Sequence, residues 1–158
     1  MNRLGITGHQ NLSLEISQFV TAQIKTLLVK HNELVGITSL AAGADQLFAH
    51  LVLAQGGMIE VIVPSQNYEE TFSNNDELLQ YNSLLLQAKT VTNLPFVEPS
   101  EDAYMAAGEE VVRQSDALIA IWDGQPARGK GGTSDVVQFA RSNGVPVFVI
   151  WPEGATRD

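Results

Sequence analysis

The sequence predicts an α/β protein built on a single open parallel sheet with helices on both faces. Strand-like and helix-like patterns alternate from end to end. The runs Ala117-Leu118-Ile119-Ala120-Ile121-Trp122 and Val145-Pro146-Val147-Phe148-Val149-Ile150 are apolar without alternation, as parallel strands buried on both sides are. Three glycine-rich turns each lie between an apolar run and a helical stripe. They are Gly5-Ile6-Thr7-Gly8-His9, Leu40-Ala41-Ala42-Gly43-Ala44-Asp45 and Arg128-Gly129-Lys130-Gly131-Gly132-Thr133.

The elements follow in order. Residues 4–7 form a short apolar strand. Ser13 is placed to cap a helix whose stripe is Ile16, Phe19, Val20, Ile24, Leu27 and Leu28. Residues 34–38 form the second strand. Ala44, Leu47, Phe48, Leu51 and Val52 recur at helical spacing, and Gly56-Gly57 ends that helix. Residues 59–63 are the third strand, closed by Pro64. The polar stretch 65–75 reads as a surface loop. Leu78, Leu79, Leu84 and Leu85 mark a helix over 76–89, and 91–97 reads as a short strand. Residues 101–115 are helical, 117–122 extended, 133–142 helical and 145–151 extended. No repeat, low-complexity segment or linker interrupts this order, so one domain spanning 1–158 is expected.

Composition narrows the function. A net charge of −9 opposes sequence-independent nucleic-acid binding, which calls for a basic surface, so no nucleic-acid partner is expected. It leaves a small anionic ligand open, because local N–H groups outweigh global charge at close range. With no cysteine there is neither a disulfide nor a thiolate metal site. The histidines His9, His31 and His50 show no metal-ligand spacing, so no metal is expected. No apolar run reaches membrane-spanning length and residues 1–20 lack a signal-peptide pattern. A cytoplasmic protein without a membrane partner is the expectation.

All three glycine turns follow strands, so all should converge on the carboxyl edge of the sheet, where open α/β sheets bind ligands. Glycine lets the backbone approach a ligand, and the next helix aims its free N–H groups at the same place. The first turn lacks the third glycine of a dinucleotide fingerprint, but Thr7, Gly8 and His9 are placed to form one wall. In the second, Gly43 and Asp45 open a helix, where a carboxylate either contacts ribose or simply benefits from the helix dipole. The third has phosphate-loop spacing from Gly124 to Gly129-Lys130, but Gly131 stands where that motif needs a metal-binding hydroxyl. Arg128, Gly129, Lys130, Gly131, Gly132 and Thr133 together suit a phosphate oxyanion. Asp123 and Asp135 flank the loop, either to fix ribose hydroxyls or to pair with Arg128 and Lys130. No spacing points to a catalytic residue.

The stretch Ser39-Leu40-Ala41-Ala42-Gly43-Ala44-Asp45, with Ala49-His50 and Gly56-Gly57, resembles the glycine–aspartate helix of DNA-processing protein A (DprA). Residues 115–121 with Gly131-Gly132-Thr133 resemble the Lonely-guy (LOG) phosphoribohydrolases. Both families belong to the SLOG superfamily. The resemblance therefore implies a single Rossmann-like nucleotide-binding domain, closest to small stand-alone members that include molybdenum-cofactor carrier-like proteins. It further implies self-association into a homodimer or larger oligomer. LOG enzymes carry Pro-Gly-Gly-x-Gly-Thr-x-x-Glu. Gly129, Gly132 and Thr133 match it, Arg128 replaces the proline, Lys130 replaces the second glycine and Val136 replaces the catalytic glutamate. The position of the LOG catalytic arginine is Ala107. The expectation is a sensor or carrier for a nucleotide or nucleotide-derived ligand, with no cofactor identified. The alternatives are a LOG-type hydrolase in which Asp135 or Glu110 replaces the glutamate, and a carrier of a pterin phosphate.

Overall fold

The computed structural model describes residues 2–127 and 129–156. Its strands are β1 (Arg3–Gly8), β2 (Val35–Thr38), β3 (Met58–Ser65), β4 (Thr90–Phe96), β5 (Ala117–Ile121) and β6 (Val147–Ile150). The helices are α1 (Leu14–Leu28), α2 (Ala44–Ala54), α3 (Asn75–Leu86), α4 (Glu101–Arg113) and α5 (Thr133–Ser142). A short 3-10 helix covers Tyr68–Thr71. The strands form one open sheet in the order β4-β3-β2-β1-β5-β6, and every neighbouring pair is parallel.

This order has one reversal. The chain winds outward from β1 to β4, then returns to the other side of β1 for β5 and β6. Loops leaving β1 and β5 therefore diverge over opposite faces and leave a crevice at the carboxyl edge. The pleat divides the core accordingly. Ile59, Val61 and Val63 of β3 face the layer of α1, α2 and α3, whereas Ile62 faces α4 and α5. Phe48 of α2 is fully buried on the first face, over Gly36, where an added Cβ would lie 2.8 Å from the ring.

The two edges depart from the reading of the sequence. β6 is not buried on both sides: Phe148 and Val149 are each 45% exposed. An apolar run reports burial but not rank in the sheet, and β6 lies last. β4 is the opposite edge and is mostly exposed; its Pro95 fits that position, since proline cannot donate to a ladder. The stretch 65–75 is not a free surface loop either. Tyr68 is buried, and its ring meets Phe72 and Tyr81 at 5.4 Å and 5.5 Å. Among the described residues no helix is long and apolar enough to cross a membrane.

Phe48→Ala is expected to lower unfolding free energy by about 3–5 kcal/mol, because Gly36 offers no side chain to collapse into the void. Urea denaturation checks this, and a loss of under about 1 kcal/mol would contradict the packing described.

Candidate functional site

A cleft of about 610 Å³ opens at the carboxyl edge, over the reversal between β1 and β5. Its lining includes Thr7, Gly8 and His9 after β1, Asp45 at the start of α2, and Gly129, Lys130, Gly131, Gly132 and Thr133 before and within α5. Three glycine turns distant in sequence thus meet at one place.

The helix starts differ in a way that bears on binding. α1, α3 and α4 are capped by side chains: Ser13 accepts from Ile16 N, Asn74 from Glu77 N and Ser100 from Ala103 N. α2 and α5 have Gly43 and Gly132 at the cap and no side-chain cap bond. Among the described residues the N–H groups of Thr133 and Ser134 and the Thr133 hydroxyl have no protein acceptor or donor. The start of α5 therefore offers unspent donors and the positive end of a dipole beside the cleft.

The loop before α5 is shaped by close approaches. Gly131 has φ +86°, and a Cβ there would lie 2.7 Å from the Met105 backbone nitrogen of α4. Its own N–H donates to the Asp135 carboxylate at 3.1 Å. Asp135 thus braces the loop from within and does not line the cleft. The Lys130 ammonium bonds to Asp102, which raises its pKa, and the Lys130 N–H donates to Glu101 at 3.3 Å. Neither Asp123 nor Asp135 is its partner in these bonds. Arg128 lies outside the described residues.

The β1–α1 turn is locked from two sides. The Asp123 N–H donates to His9 Nε2 at 3.2 Å, the Asp123 carboxylate lies 3.3 Å from the same nitrogen, and the edge of Trp151 packs on the ring at 5.3 Å. Asp123 is thereby turned toward His9 and away from the cleft lining. Gly43, with φ +81°, leaves only 2.1 Å between a hypothetical Cβ and the Gln10 carbonyl oxygen. It holds the first two turns together and does not itself line the cleft.

Asp45 is 7% exposed, yet it lines the cleft. Its Oδ2 accepts from the Thr38 hydroxyl at 3.3 Å, Ser39 N at 3.2 Å and Ala41 N at 3.4 Å. Among the described residues Oδ1 has no partner. Burial lifts the carboxyl from 3.8 to about 7, and the three donors oppose that rise without cancelling it. The turn ahead of it is strained: Leu40, fully buried, sits at φ +56°. Thr38 Oγ1 accepts its N–H and the Gln46 amide donates to its carbonyl, which holds it there.

The remaining wall is aromatic and was not foreseen from the sequence. Tyr68, Phe72 and Tyr104 line the cleft with Glu77 and Glu101. The signal for Tyr68 and Phe72 was present, as two aromatics at helical spacing just beyond a strand end. Burial, with Asp45, Tyr81 and Tyr104 nearby, pushes the Tyr68 phenol well above 10.0. Ala107 and Val136, at the positions of the LOG catalytic pair, also line the cleft, where with Gly108 and Val111 they make an apolar patch. Glu110 and Asp135 do not line it. Among the described residues no group of His, Asp or Glu is arranged to hold a metal.

No known family profile and no curated protein matches the chain by sequence. Solved structures do match in fold. DprA from Streptococcus pneumoniae superposes with a TM-score of 0.69 at 19% identity over 96% of this chain. DprA from Helicobacter pylori, described for its single-stranded DNA binding mode, does so with a TM-score of 0.71 at 18% identity over 99%. TM1055, a structural-genomics target, gives 0.58 at 15% identity over 93%. The fold is a Rossmann-like open α/β sheet of the kind seen in these structures. This chain spans 51% of the pneumococcal DprA, 68% of the Helicobacter protein and 72% of TM1055.

The likeness corrects one expectation. The acidic balance predicted no nucleic-acid partner, yet this fold occurs in a DprA that binds single-stranded DNA. Net charge averages over the whole surface, whereas a strand contacts one face, so the exclusion does not stand.

The raised Asp45 pKa sets a sign for stability against pH. Between 3.8 and about 7 the folded chain holds a proton that the unfolded chain has released. The stability from protonated Asp45 is thus complete below 3.8 and lost as pH rises through about 7. Asp45→Asn removes this term. Wild-type stability measured relative to D45N is expected to fall as pH rises through that window; parallel curves in urea titrations would contradict the burial argument.

Proposed function

We propose that the cleft binds a nucleotide or nucleotide-derived ligand without turning it over. Its phosphate lies against the start of α5 and its ring system against Tyr68, Phe72 and Tyr104. The observation that carries this reading is the uncapped α5 N-terminus, with the N–H groups of Thr133 and Ser134 unspent beside a cleft of about 610 Å³. The volume suits a mononucleotide or a pterin phosphate, and the aromatic wall suits a flat ring. Lys130 neutralises phosphate charge by exchanging Asp102 for the ligand. A binder is favoured over a LOG-type hydrolase because the two positions that do chemistry there are Ala107 and Val136, and neither Asp135 nor Glu110 lines the cleft to replace them.

A second reading takes one nucleotide of a DNA single strand as the occupant of the same cleft. The likeness to the Helicobacter DprA supports it.

Calorimetry with AMP, GMP, a pterin phosphate and a short oligothymidylate separates these readings. The first predicts binding of a mononucleotide or pterin phosphate, with Thr133→Val weakening it about tenfold or more through loss of a charge-assisted hydrogen bond. The urea midpoint of T133V should stay close to wild type. Binding of the oligonucleotide alone favours the second reading, and an unchanged affinity in T133V removes the Thr133 hydroxyl from the phosphate contacts.

A further inference from the structure

Asp45 has two oxygens in different situations. Oδ2 is saturated by the Thr38 hydroxyl and the backbone N–H groups of Ser39 and Ala41, at 3.2–3.4 Å. Oδ1 has no partner among the described residues, and the side chain that carries it is only 7% exposed, in the lining of the cleft. A carboxyl placed this way is held rigidly by one oxygen and presents the other to whatever enters.

The three donors and the start of α2 favour the anion, whereas burial favours the neutral acid. One further donor on Oδ1 would tip this balance, because it supplies the solvation that burial withholds. A hydroxyl or amino group of a ligand can do so; a carbonyl or phosphate oxygen cannot bond to the anion at all.

We infer that Asp45 is the proton-linked contact of this cleft: a ligand hydroxyl or amino group donates to Oδ1, and binding expels the Asp45 proton to solvent. The inference rests on the reading of the cleft as a nucleotide site. It assigns Asp45 to the donor-bearing sugar or base of the ligand, and the start of α5 to its phosphate. The proton balance is simple. Neutral Asp45 loses one proton to buffer, and its carboxylate accepts the ligand's O–H or N–H without transfer.

Among the described residues, the titratable and charged groups that share the cleft with Asp45 include His9 of the β1–α1 loop, Tyr68 of the 3-10 helix and Glu77 of α3. Glu101 and Tyr104 come from α4 and Lys130 from the loop before α5. Tyr68 and Tyr104 are both shifted upward by burial, away from neutrality. Imidazoles and phosphate monoesters change charge in the same range as Asp45, so the measurement must subtract them.

The test is calorimetric titration of AMP, GMP, CMP and UMP into wild type and D45N at about pH 6 and about pH 8, in buffers of different ionisation enthalpy. The expected result is that wild-type affinity rises about tenfold more than D45N affinity across that interval, with a proton released by wild type that D45N does not release. Equal pH responses in the two proteins overturn the linkage and leave the nucleotide reading standing. Failure of all four nucleotides to bind at either pH overturns the mononucleotide form of that reading and the linkage with it. Should D45N not fold, the carbon-13 resonance of the Asp45 carboxyl in wild type decides. A move toward the ionised position on adding nucleotide supports the inference, and an unmoved resonance overturns it.

Discussion

Among the described residues two of the five α-helices begin without a side-chain cap, and both start at the cleft. α1, α3 and α4 spend a serine or asparagine on their first N–H groups. α2 and α5 begin at glycines that cannot. An uncapped helix start is ordinarily a cost, since orphan donors must find water or a partner. Here both uncapped starts face one crevice: the first N–H of α2 is spent on the His9 carbonyl, whereas among the described residues those of Thr133 and Ser134 in α5 stay open, as an anionic ligand needs. The sheet order makes them neighbours. With β1 between β2 and β5, the helices that follow β2 and β5 start on opposite faces of the same edge.

The two starts are used differently. At α2 the free donors ahead of the helix turn inward, and three converge on one oxygen of Asp45. At α5 the loop instead folds back on itself through Gly131 and Asp135, leaving the next two N–H groups open. One side of the cleft thus offers a buried carboxyl and the other bare donors. Between them lies the apolar patch around Ala107 and Val136.

Most of the fold was legible in the sequence because its signals are local. Helical stripes, a serine before a stripe and apolar runs between glycines each report on a few consecutive residues. Convergence of the glycine turns followed from topology alone, and it holds for Thr7, Gly8, His9, Asp45 and residues 129–133. What the sequence did not reveal is non-local. Rank in the sheet separates β6 from β5, although both read as apolar runs. The 65–75 stretch reads as polar because Tyr68 and Phe72 are outnumbered, yet those two rings decide where it packs. Gly43 was expected at the floor of the cleft or at ribose, and Asp123 and Asp135 either at ribose hydroxyls or paired with Arg128 and Lys130. The structure gives each a protein neighbour that no spacing could disclose: the Gln10 backbone, His9 and Gly131. The DNA-binding exclusion failed for a related reason, since a sum of charges carries no positions.

The contact between Gly43 and Gln10 has a mechanical consequence. With 2.1 Å between a hypothetical Cβ and a carbonyl oxygen, the backbones are as close as glycine alone permits. The Ala44 N–H also donates to the His9 carbonyl at 3.2 Å, and His9 is in turn fastened to Asp123 beyond β5. The loop after β1, the start of α2 and the segment after β5 therefore form one stiff rim around the cleft. A displacement of any one of them is passed to the other two. The loop carrying Lys130 stands outside that rim: among the described residues its ammonium is held by the exposed Asp102 carboxylate.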